Sequence, residues 1–196
     1  MAWHEILKYS PKNYKNRIYI ADEWTSRCEV GKYFNGKQFT IEEYLRVEQQ
    51  HINVILSIMK AVQSKFVVIR YLEADKADII ESIQDSKFHD IDSPLLQSIP
   101  LLEVKKRIHP NEIPDIVRLA LREYIYVELG DKEHKFKIQF GYDYYLYVAC
   151  TLTKEELQNI VARRIVFRPK ITIKQTRPSE LNFTAQRCPT SERLAI

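Results

Sequence analysis

Apolar residues recur along this chain with two different periods, and the changes of period divide it into elements. Between residues 40 and 63, Ile41, Leu45, Ile52, Ile55, Met59 and Val62 follow helical spacing and share a face. Thr40-Ile41-Glu42-Glu43 opens this stretch as a capping box, with Thr40 covering an orphan amide and Glu43 reaching back. Residues 65–72 are a compact β-branched run and predict a buried central strand. In residues 136–150 the aromatics alternate or adjoin in a way that no helical period fits. That run predicts one strand, or two broken at Gly141, with enough tyrosine to face a partner as well as a core.

Shorter signals fill the gaps. Residues 17–21 read as a short strand, and Asn35-Gly36 marks a hairpin, because this dipeptide accepts the positive φ angles of a two-residue turn. Ile79, Ile80 and Ile83 predict a short helix, while Pro94 and Pro100 make residues 93–102 a loop. Pro110 and Pro114 lead into a helix over 115–122, and residues 130–134 turn a second hairpin. Thr153 and Glu156 repeat the capping pattern and start a helix reaching about Arg164. Pro169 makes residues 166–174 an edge strand, and beyond Gln175 the chain is polar and aperiodic. The expected fold is α+β: a mixed, mainly antiparallel sheet with helices packed on one face. It occupies a single domain, residues 1–175, followed by a weakly ordered tail, residues 176–196.

Composition adds little to this picture and excludes several chemistries. With 45% hydrophobic and 29% charged residues, the chain has the make-up of a globular domain. The most apolar stretch, residues 52–62, is interrupted by Asn53, Ser57 and Lys60 and is too short to span a bilayer. The first eight residues lack a basic segment followed by an apolar core, which predicts no secretory leader. Cys28, Cys150 and Cys188 are odd in number and far apart, which predicts reduced thiols in a cytoplasm. The four glycines form neither a Walker nor a dinucleotide loop. The five histidines show no metal-ligand spacing, and no serine sits in a nucleophile elbow, so no cofactor, metal or catalytic residue is assigned. Glu23 and Asp143 could form an acid/base pair beside Trp24, which keeps a small-ligand enzyme as a third reading.

The charge distribution is more informative than the net +4. Residues 73–92 hold seven acids against Lys76 and Lys87, and residues 163–177 hold six bases and no acid. Asp78, Glu81 and Asp85 share one side of the predicted helix, opposite Ile79, Ile80 and Ile83; with Asp90 and Asp92 they form a candidate acidic face for a basic protein partner. Tyr142 and Tyr144 are candidate aromatic anchors of a competing surface. An alternative is RNA binding or processing, using the tyrosine-rich strand and the basic run around Phe167, Arg168 and Lys170.

Glu23-Trp24-Thr25-Ser26, residues 30–36 with Gly31 and Gly36, residues 40–48 with Tyr44 and Glu48, and residues 140–147 with Tyr142 and Tyr144 form a set. Over about residues 22–48 and 136–148 this set resembles bacterial immunity proteins that accompany contact-dependent inhibition and other polymorphic toxins. The resemblance implies a cytoplasmic, non-enzymatic antitoxin that docks on a cognate toxin domain. Immunity proteins against basic nucleases tend to be acidic overall, whereas this chain is net basic. Residues 73–92 are the local feature that fits such a partner, and no binding residue is carried over from the family.

Overall fold

The computed structural model describes residues 1–8, 11–16, 18–141, 144–164 and 172–176. In chain order the strands are β1 (Ala2–Leu7), β2 (Tyr14–Lys15), β3 (Ile18–Tyr19), β4 (Tyr33–Phe34), β5 (Lys37–Gln38), β6 (Val67–Glu73), β7 (Arg107–Ile108), β8 (Tyr126–Gly130), β9 (Phe136–Phe140), β10 (Leu146–Cys150) and β11 (Thr172–Thr176). The α-helices are α1 (Ile41–Ala61), α2 (Lys76–Gln84), α3 (His89–Asp92), α4 (Ile113–Leu121) and α5 (Lys154–Arg164). Seven strands form one sheet in the order β11-β1-β10-β9-β8-β6-β7, and two small hairpins stand beside it. Every ladder among the described residues is antiparallel, so the fold is α+β.

Pairing register explains where the core lies. His4, Val148, Ile138, Leu129 and Ile69 align across five neighbouring strands. All five are buried, at 3% exposure or less. Because side chains alternate along a strand, the row defines one apolar face. Helix α1 packs there through Ile52, Ile55, Ile58 and Met59, in the same core as Ile116 and Val117 of α4 and Leu157 of α5. The opposite face carries half-buried Glu5, Tyr147 and Glu128.

Several expectations hold in detail. Asn35 and Gly36 take φ of 49° and 74° between β4 and β5, the geometry of a two-residue hairpin turn. Thr40 caps α1, its hydroxyl accepting the Glu43 amide at 3.3 Å. Glu43 does not reach back, however; its carboxylate accepts from Trp24 Nε1 and pairs with Lys37. A complete capping box stands at Thr153 and Glu156 at the start of α5.

Others need correction. Residues 93–102 are mostly a 3₁₀ helix, Ser93–Leu101, rather than a loop. Pro94 sits in its first turn, where an amide is dispensable, and the three-residue repeat turns Leu95 and Ser98 inward together. Strand β1, which the sequence reading passed over, lies between β10 and β11. The tyrosine-rich run is two strands, β9 and β10, joined by a connection that contains Tyr144. Of the three cysteines expected to be reduced, Cys150 is free and buried, and Cys188 lies outside the described residues. The edge strand expected at 166–174 corresponds to β11, which pairs with β1; residues 165–171 and, apart from Thr176, the tail lie outside the described residues. Among the described residues, no helix is long and apolar enough to cross a membrane.

Candidate functional site

Helix α2 begins at Asp75, whose carboxylate accepts the amides of Ala77 and Asp78. Its Ile79 and Ile83 enter the core at 2% and 0% exposure. Asp78, Glu81 and Asp85 are all exposed, as is Asp90. None of the four has an ion-pair partner among the described residues. Asp85 is the C-cap and the last turn holds no base. Negative charge at that end opposes the helix dipole, so Glu81 and Asp85 do not serve the helix's own stability. Ile80, expected on the core side, is 39% exposed, at the flank between the core stripe and the acidic face.

Asp92 departs from the expectation of an outward-facing acid. It is fully buried and anchors the segment after α2 to the rest of the molecule. Arg27 Nη1 donates to both its oxygens, at 2.8 and 2.7 Å, and Arg122 Nη1 donates to Oδ1 at 2.6 Å. The Tyr124 hydroxyl donates to Oδ2, and Ser86 Oγ, two residues past the end of α2, reaches the same oxygen at 3.4 Å. Arg122 also clasps Glu48 of α1 through Nε and Nη2, both at 2.7 Å. The Arg27 guanidinium lies over the rings of Phe88 and Tyr124 at 5.0 and 5.3 Å.

This internal network balances its charge, since Arg27 and Arg122 offset Asp92 and Glu48. Burial works against the Arg122 cation, yet Glu48 and Asp92 outweigh it and raise its pKa above the usual guanidinium value. Burial raises the Tyr44 phenol, with Glu48 next in effect, so its hydroxyl stays protonated; it donates to the Leu121 carbonyl at 3.4 Å. Arg118 extends the contacts outward to Asp115 at 3.0 Å and to Gln49 at 3.1 Å. Every carboxylate here is already matched by a donor, so the network's visible work is to fix α1, α3, α4 and the end of α2 relative to one another.

The aromatic candidates separate. Tyr142 lies outside the described residues. Tyr144 is 4% exposed and takes φ of 63° in the turn before β10. Its ring packs edge-on to Trp24 at 5.5 Å and Tyr44 at 5.7 Å, and lies 5.2 Å from the His51 ring. A residue so enclosed cannot anchor a partner from its present position. Tyr145 and Tyr147 remain half-buried and stack at 6.4 Å, with the Tyr147 ring lying where a side chain on Gly141 would collide with it at 2.8 Å. Glu23 is half-buried and its carboxyl is raised by desolvation, with Lys8 and Asn13 opposing; Asp143 lies outside the described residues.

Among the described residues, no group of three or more His, Cys, Asp and Glu could hold a metal ion. Sequence reasoning missed Ile80 because its spacing fits the core stripe, and it missed Arg27 and Arg122 because their partners are 65 and 30 residues away. No protein-family model, curated protein or solved structure matches this chain.

Proposed function

We propose that the chain is an immunity protein: it binds a basic toxin domain, covers that domain's active surface and acts in the cytoplasm. The carrying observation is the exposed acidic stripe of Asp78, Glu81 and Asp85, without an ion-pair partner among the described residues, on a helix held by Ile79 and Ile83. Held charge loses little entropy on docking, so a fixed acidic face steers a basic partner and speeds its association. Asp92 acts from behind, holding the segment that follows α2 through Ser86.

The test uses the toxin domain encoded beside this chain, purified and titrated by calorimetry against the full protein. A one-to-one complex that abolishes the toxin's activity supports the reading. A neighbouring domain that neither binds nor is inhibited removes it.

A further inference from the structure

At the end of the sheet away from β11, the chain leaves the 3₁₀ helix and turns into β7 over a cleft of about 670 Å³. Lys105, Lys106 and Arg107 line this cleft consecutively, and all three are exposed. None has an ion-pair partner among the described residues. The backbone that presents them is fixed: Lys105 takes φ of 71°, and its amide donates to the Ile69 carbonyl at 2.8 Å. A lysine in the left-handed region is uncommon and persists only where its surroundings hold it. The Arg107 guanidinium lies over the Phe66 ring at 4.9 Å, which restrains that charge too.

Strand β7 ends the seven-stranded order, pairing with β6 at Ile108 and Arg107. Its outer edge meets no other strand among the described residues, and an edge strand offers amides and carbonyls to an added chain. We propose that this cleft is a docking site for an extended acidic peptide segment, which adds to the β7 edge and sets its carboxylates against Lys105, Lys106 and Arg107. The remaining lining favours a peptide over a nucleic acid. Glu103 and Glu112 interrupt the basic lining and would repel an unbroken phosphate backbone, whereas a peptide can set its carboxylates on the basic side alone and its intervening apolar side chains on Leu101 and Val104, the latter 47% exposed. The site is independent of α2 and takes a ligand of the opposite charge.

The test is fluorescence anisotropy with the full chain and a labelled, acetylated peptide of alternating glutamate and valine, at low salt. The peptide should bind, and Lys105→Glu/Lys106→Glu should weaken it by about tenfold or more. Lys106→Glu alone leaves the left-handed residue intact and should also weaken binding, which keeps the test valid if the double variant misfolds. A backbone N-methylated peptide should bind more weakly, because it cannot pair with an edge. Unchanged binding on Asp78→Lys/Glu81→Lys/Asp85→Lys would keep this result separate from the α2 reading. Absence of binding, equal affinity for the charge-reversed cleft, equal affinity of the N-methylated peptide, or tighter binding of a single-stranded RNA of equal charge would each overturn the proposal.

Discussion

Arg122 holds Glu48 through two parallel hydrogen bonds of 2.7 Å, with both side chains only 2% exposed. The pair joins the C-cap of α4 to the middle of α1, and the same guanidinium goes on to Asp92. Removing Arg122 leaves Glu48, 2% exposed, with only Arg118 at 3.5 Å, while Asp92 keeps Arg27 and Tyr124. Arg122→Met should therefore destabilise the fold by about 3–5 kcal/mol. Urea unfolding followed by circular dichroism would check this, and a loss below about 1 kcal/mol would show that the clasp is dispensable.

Two buried histidines give the fold a pH dependence. Burial lowers the pKa of His51 and also of His4, where Lys154 adds to the effect. Their folded forms therefore stay neutral where the unfolded chain, with an ordinary value of about 6.5, takes up protons. Stability from these groups is complete above that value and is lost as pH falls below it. The unfolding midpoint should drop between about pH 7.5 and 5, before most carboxylates titrate. His51→Gln should flatten the slope.

Tyr144→Ala should behave as a core mutation. Its ring touches Trp24, Tyr44 and His51 in the interior, so truncation should cost about 3–5 kcal/mol. Partner association, measured well below the unfolding temperature, should be unchanged. Weakened association with an unchanged melting point would restore the tyrosine surface.

The elements were legible where the signal is local. Asn35-Gly36 and Thr40 act within a few residues, and the Ile and Met stripe of α1 needs only helical periodicity. Asp92 shows where local reading stops. In sequence it is one more acid after His89 and Asp90, yet its partners Arg27, Arg122 and Tyr124 are supplied by distant elements. Tyr144 misled for the opposite reason: alternation placed it in a strand, but its left-handed φ turns the chain into the Trp24 cluster. In β1 the inward positions are His4 and Ile6, and a histidine on the apolar face hid the alternation. Of the candidate acidic face, the exposure of Asp78, Glu81 and Asp85 was legible because it follows from the helix pattern.

The proposed docking face on α2 is tested most directly by association kinetics with any basic toxin domain found to be encoded beside this chain, measured across a salt series. Asp78→Lys/Glu81→Lys/Asp85→Lys should keep its melting point, since all three residues are exposed and have no ion-pair partner among the described residues. Its association rate at low salt should fall by about tenfold or more, with a much weaker salt dependence and a smaller change in dissociation. An association rate equal to that of the unaltered protein at every salt concentration would contradict the assignment of α2 as the docking face.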